Sequence, residues 1–321
     1  MDSLAIQLLI LIVASYILVR AASRLVTSIS VIGGYFKLSE FVVAFVLMGI
    51  VTSLPEIAVA VSSAISNNPA LALGTAIGSN LTNLTLIIGI PVLIGGGLEV
   101  RSIIARKDAV FMAIFAIIPL ILVSDGKIGM IDGIILLLFY GFYLYRLFTQ
   151  KSHFSQFTNH FTKKDAFAQL GVFVYYIALL FAASYVIVTT SEIIATNLEV
   201  PIILIGLIIL SIGTSLPELA HGLISVKTKH SGQILGDILG SVVANSTLII
   251  AIAAIIKPIV IVNLQPLVIP SIFLIITLLM FLLFVYSDKR LEIKEVLFLM
   301  AIYFLYILTE LGMQIVDKTV N

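Results

Sequence analysis

Ten apolar runs, each near the roughly 20 residues that cross a bilayer as a helix, leave this 321-residue chain little to fold into except membrane-spanning helices. They fall near 4–30, 40–66, 70–98, 108–124, 128–149, 167–191, 201–226, 231–257, 266–286 and 292–315. Composition agrees: 60% of the residues are apolar and 11% charged, against about 45–50% and a quarter in soluble domains. The first run follows Met1-Asp2-Ser3, which lacks the positive charge of a signal peptide, so it is read as a helix. The expected fold is an all-α polytopic membrane protein.

Ten spans place both termini on one side, and the basic residues then divide unevenly between the two faces. Fifteen Lys and Arg, from Arg20 to Lys294, fall on one face, and only Lys127, Lys257 and Lys318 on the other. By the positive-inside rule the crowded face is cytoplasmic and both termini are outside, in a multi-pass protein of the cell membrane. The balance of 18 basic and 17 acidic residues excludes a strongly basic nucleic-acid binder. With no cysteine, thiol catalysis, thiolate metal sites and disulfides are excluded as well.

The polar stretch 150–166 divides the chain into halves, 1–149 and 167–321, each carrying five spans. The pentapeptide TSLPE at Thr52–Glu56 recurs at Thr214–Glu218, and the displacement of 162 then holds without a gap. Gly74, Gly78, Ser79 and Asn83 meet Gly236, Gly240, Ser241 and Asn245, and 17 of 39 positions are identical between 52–90 and 214–252. The chain is an internal duplication. Five spans per half is an odd number, so the second copy enters the membrane from the opposite side. Two inverted-topology repeats of five helices are an architecture of secondary transporters, with the site near the midplane at broken helices.

Glu56 and Glu218 both fall near mid-span, where an ionised side chain costs at least about 2.5–3.5 kcal/mol and so calls for a compensating partner. Pro55 and Pro217 have no N–H to give to the carbonyls of Val51 and Gly213, so each motif is expected to open a turn and free oxygens there. Thr52 with Glu56, Thr214 with Glu218, Ser79 with Asn83, and Ser241 with Asn245 are each four apart, which puts their oxygens on one helix face. The donors are all oxygen, a set for a hard cation rather than zinc or copper. Two negative charges match one divalent or two monovalent cations. A hydrolase would need a nucleophile with a base, and of the four histidines only His221 lies near the motifs, so the chain is read as no enzyme. A channel would be expected to repeat its filter by subunit symmetry rather than by inverted copies in one chain.

TSLPE with a downstream G-x-x-x-G-S-x-x-x-N, twice in inverted halves, resembles the sodium/calcium exchanger family of the calcium:cation antiporter superfamily, over nearly the whole chain. The resemblance implies Ca²⁺ held by Glu56, Glu218, Thr52 and Thr214. It implies Na⁺ held by the same carboxylates with Ser53, Ser215, Ser79, Ser241 and the carbonyls of Gly49 and Ser211. Asn83 and Asn245 would line the centre. It further implies alternating access, with the first and sixth helices sliding against the other eight, and Ca²⁺ and Na⁺ as transported ions in the lipid bilayer with no cofactor; protein partners are not legible in the sequence. Val51 departs from the family, in which Gly commonly precedes the Thr, and Ser211 adds an oxygen where a small apolar residue is usual. Potassium-dependent members carry Asp where Asn245 stands, and proton-coupled ones usually a Gly-Asn-x-x-Glu motif; Ca²⁺/H⁺ exchange is the alternative reading.

The symmetry breaks at two places beside the motif. His221 stands opposite Val59, either as a hydrogen-bonded packing residue or as a proton sensor. Asp237, opposite Thr75, either lines an entry vestibule or meets Lys227 or Lys229.

Overall fold

The computed structural model describes residues 2–35, 53–99, 103–149, 162–227, 231–287 and 290–320. Helix α1 (Asp2–Tyr35) is followed by α2 (Leu54–Ile65), then by α3 (Pro69–Thr82), which continues through a π-helical turn at Asn83–Ile87 into α4 (Ile88–Gly95). Helices α5 (Ile103–Leu122) and α6 (Met130–Thr149) complete the first half. The second begins with α7 (Lys163–Leu198), then α8 (Ile202–Leu204), a π-helical stretch Ile205–Leu210 and α9 (Ser211–Thr214). After Ser215 come α10 (Leu216–Lys227), α11 (Ser231–Ala244), a π-helical turn Asn245–Ile249 and α12 (Ile250–Ile256), then α13 (Gln265–Ser287) and α14 (Ile293–Val320).

Eight helices among the described residues are long and apolar enough to cross a membrane, and α2 adds a shorter apolar one. This is an all-α polytopic membrane protein. The element bounds themselves carry the displacement of 162: α2 maps onto α10, α3 onto α11, and the π turn at Asn83–Ile87 onto Asn245–Ile249. Two short antiparallel ladders pair the halves crosswise, β1 (Leu98–Glu99) with β4 (Arg290–Leu291) and β2 (Lys127–Ile128) with β3 (Ile259–Val260).

Burial sorts the helices into a centre and a rim. The spans Pro69–Gly95 and Ile234–Ile256 are 78% buried, whereas Leu4–Leu25 is 22% and Ala166–Leu198 28% buried. In the first of these spans, Pro69–Gly95, small residues allow a close crossing. Gly74 and Gly78 let α3 press on the π-helical stretch Ile205–Leu210 so closely that a Cβ on either would run into the carbonyl oxygen of Ile203 or Leu207. The long helices α1 and α7 pack mainly on each other and present large apolar side chains outward.

The expected helix at 40–66 is described only from Ser53 onward, and of the linker at 150–166 the residues 150–161 lie outside the described part. The sixth helix starts at Lys163, earlier than expected, and runs on to Leu198. The seventh is no single helix: a π-helical stretch and a one-residue break at Ser215 divide it.

Candidate functional site

The serines of the two TSLPE motifs share one backbone geometry. Ser53 stands at φ −84°, ψ 4° just before α2, and Ser215 at φ −84°, ψ 5°, where it forms a one-residue break between α9 and α10. Proline explains the position, because Pro55 and Pro217 fit the first turn of a helix, where no N–H is needed. The break is narrower than a whole opened turn. Ser215 N–H still reaches the Ser211 carbonyl at 3.3 Å, and Leu219 N–H the Ser215 carbonyl at 3.2 Å. Glu56 and Glu218 thus fall in the first turns of α2 and α10, a favourable setting for negative charge.

Glu56 and Glu218 occupy those first turns, and each is 1% exposed. Glu218 Oε1 accepts a hydrogen bond from Ser241 Oγ at 3.2 Å, joining α10 to α11. Ser79 and Thr214 meet through their hydroxyls at 3.4 Å, joining the two halves. Ser211 Oγ donates to the Leu207 carbonyl at 2.7 Å and lies 3.5 Å from Thr82 Oγ1.

Among the described residues, the hydroxyls of Ser53 and Ser215, both carboxylate oxygens of Glu56, Glu218 Oε2 and the amide groups of Asn83 and Asn245 are buried with no hydrogen-bond partner. These form three pairs displaced by 162, beside single unpartnered atoms elsewhere such as Tyr140 Oη, Ser191 Oγ and Thr277 Oγ1. An unpaired buried polar atom costs about 1–3 kcal/mol, and more if charged, so so many of them at related positions point to a missing partner that accepts oxygen ligands. Among the described residues no three His, Cys, Asp or Glu side chains converge as one metal cluster. A cation at the centre would thus meet two carboxylates and otherwise neutral oxygens, the pattern of a hard cation.

Of the residues singled out in the sequence, Thr52 and Gly49 lie outside the described part, while Ser53, Glu56, Ser79, Asn83, Ser211, Thr214, Ser215, Glu218, Ser241 and Asn245 are all buried. His221 and Asp237, read separately, meet each other: Nδ1 to Oδ2 is 3.0 Å. Sequence reading missed Asn80, whose amide donates to Ser246 Oγ at 2.7 Å, and Thr82, whose hydroxyl lies 3.5 Å from Tyr303 Oη. The available signal was the run of polar residues from Ser79 to Asn83 inside an apolar helix, but Asn80 and Thr82 have no polar counterparts at Val242 and Ala244.

The family model described as sodium/calcium exchanger protein matches residues 6–149 and 168–312. The inner membrane protein YrbG of Escherichia coli is 27% identical over 264 residues, covering 78% of this chain and 79% of its own. The sodium/calcium exchanger MaX1 of Methanosarcina acetivorans is 23% identical over 297 residues, covering 79% and 84%. Among solved structures, the sodium-calcium exchanger NCX_Mj soaked with Na⁺ and Sr²⁺ superposes with a TM-score of 0.66 at 25% identity, over 92% of this chain and 96% of that one. A duplicated TSLPE motif with two buried carboxylates, matched by one family model over both halves, places this chain in the sodium/calcium exchanger family of membrane cation antiporters.

Proposed function

We propose that the chain exchanges Ca²⁺ for Na⁺ by alternating access. The observation that carries this is the pair of buried carboxylates, Glu56 and Glu218, ringed by hydroxyl and amide groups without partners among the described residues. Two like charges in a low-dielectric core repel each other and are costly to bury, so a divalent cation between them relieves both costs at once. When it leaves, two monovalent cations restore the same charge balance. Glu56, Glu218, Thr52 and Thr214 are assigned to Ca²⁺, and the carboxylates with Ser53, Ser215, Ser79, Ser241 and the carbonyls of Gly49 and Ser211 to Na⁺. Asn83 and Asn245 line the space between. The functional halves are 1–149 and 167–321, inverted in the membrane, with the linker 150–166 cytoplasmic and both termini outside.

The deciding experiment is ⁴⁵Ca²⁺ uptake into Na⁺-loaded proteoliposomes diluted into Na⁺-free buffer, run beside vesicles with an imposed pH gradient. Uptake driven only by the Na⁺ gradient is the expected result. Uptake driven only by the pH gradient would transfer the counter-ion role to protons on Glu56 and Glu218, the reading second in line because both carboxylates are buried.

Alternating access assigns the motion to α1 and α7, which pack mainly on each other and touch the core less. One hydrogen bond crosses from this pair into α2: Ser62 and Ser184 hydroxyls lie 2.6 Å apart. The chain has no cysteine, so Ser62→Cys with Ser184→Cys would introduce its only two thiols. The expected outcome is a disulfide under mild oxidant that stops exchange and a return of activity on reduction. Undiminished exchange in the cross-linked protein would rule out movement of α7 along α2.

A further inference from the structure

The structural symmetry of the two halves fails most plainly one turn away from Glu218. On α10, His221 follows Glu218 by three residues, and on α11, Asp237 precedes Ser241 by four, so both lie on the side of Lys227 and Ser231, where the two helices connect. Their counterparts in the first half are Val59 and Thr75, neither of which carries a charge. The His221 side chain is 30% exposed and that of Asp237 1% exposed, with Nδ1 3.0 Å from Oδ2. The pair therefore joins a half-buried side chain to the core. The flank beside it is exposed. Leu216 is 40% exposed and Ala220 is exposed on α10, whereas the counterpart Ala58 on α2 is 0% exposed and covered by α7.

Asp237 stands one turn from Ser241, which donates to Glu218 Oε1, yet Asp237, Glu218 and Glu56 do not converge as one metal cluster among the described residues. Asp237 is a separate position on the same face of α11. Beyond it lies Glu218 Oε2, buried and without a partner among the described residues. A carboxylate as buried as Asp237 is expensive unless something offsets its charge, and its counterpart in the other half, Thr75, carries no charge.

We propose that Asp237, held in place by His221, is an approach station for the divalent cation, serving only the route that enters on the linker side. A partly hydrated divalent ion passing the exposed flank of α10 meets Asp237 before it reaches Glu218 and Ser241, and the opposite route has no such station because Thr75 is neutral. This deepens the exchange reading and rests on it for the identity of the ion.

The test uses the purified full-length chain and Mn²⁺ as a paramagnetic divalent probe, with binding followed by electron paramagnetic resonance. The wild type is expected to bind Mn²⁺ in a tight and a weak class. Asp237→Asn removes the weak class and keeps the tight one, Asp237→Glu keeps both, and Glu56→Gln with Glu218→Gln removes the tight class. A single class in the wild type, or two in Asp237→Asn, would overturn the station. Sided ⁴⁵Ca²⁺ flux in inside-out and right-side-out vesicles gives the second readout. There Asp237→Asn and Asp237→Thr raise KM on the linker side by about tenfold, the loss of one nearby charge, and leave KM on the other side and the maximal rate unchanged. An equal KM rise on both sides, or a lost maximal rate, would make Asp237 a structural support instead. Absence of Ca²⁺ flux in the wild type, with both Mn²⁺ classes intact, would sink the exchange reading and leave the station standing.

Discussion

Glu218→Gln is expected to reduce Ca²⁺ exchange more than about 100-fold, because removing one partner of a buried charge pair costs about 3–5 kcal/mol and each 1.4 kcal/mol is a factor of ten. Glu56→Gln should do the same, since the two residues are equally buried at the starts of equivalent helices. The stability of the ion-free protein should move the other way. Without a cation, two carboxylates buried in one core are a net cost, so either glutamine variant should melt no lower than the wild type in ion-free buffer. Added Ca²⁺ should raise the wild-type midpoint and fail to raise that of the variants, as expected when a ligand binds only the folded state. The checks are ⁴⁵Ca²⁺ flux in proteoliposomes and thermal unfolding in detergent with and without Ca²⁺. A variant that transports normally would remove the paired carboxylates from the mechanism.

Gly78→Ala should have the second large effect, this time on the fold. A Cβ there would strike the Leu207 carbonyl oxygen and come within 2.7 Å of Ser211 Cβ, so the α3 backbone would have to back away from the π-helical stretch Ile205–Leu210. Backbone cannot rotate aside as a flexible side chain can. The expected loss is about 3 kcal/mol, at the upper end for overpacking a core, with Ca²⁺ exchange lost as Ser79 and Thr214 move apart. Gly141 on α6 provides the control: it is exposed, and a Cβ there meets nothing within 4 Å among the described residues. Gly141→Ala should stay within about 0.5 kcal/mol of the wild type. Thermal unfolding of the two variants side by side decides between crowding at the crossing and a general intolerance of helix glycines.

The larger outlines were legible because each has a linear signature. A span is a run of apolar residues, and the helices from Ile103 to Leu122 and from Gln265 to Ser287 lie within a few residues of where those runs predict them. The duplication is a fixed displacement, and it recurs in the Ser53 and Ser215 breaks to within a degree or so of the same dihedral angles. The candidate site was legible for a related reason. Glu, Ser, Thr and Asn inside apolar runs are costly, so their presence at matching offsets already marks a place where something must satisfy them.

What remained hidden depends on which helix lies against which. The meeting of His221 with Asp237 joins residues whose charges, read along the chain, had other candidates in Lys227 and Lys229. The contacts of Asn80 with Ser246 and of Ser62 with Ser184 span 166 and 122 residues and follow no repeat. The π-helical turns at Asn83–Ile87 and Asn245–Ile249 carry no signal in apolar periodicity, which barely changes when one residue is added to a turn. By itself the sequence determined which segments are apolar enough to cross a membrane, that the halves are copies and which polar residues are set inside apolar runs, because lipid penalises every polar exception locally and residue by residue. Only the tertiary structure decided how closely α3 crosses its neighbour, which hydroxyl meets which carboxylate and that Asp237 stands with His221, because such distances are set by the packing of whole helices and no single segment contains them.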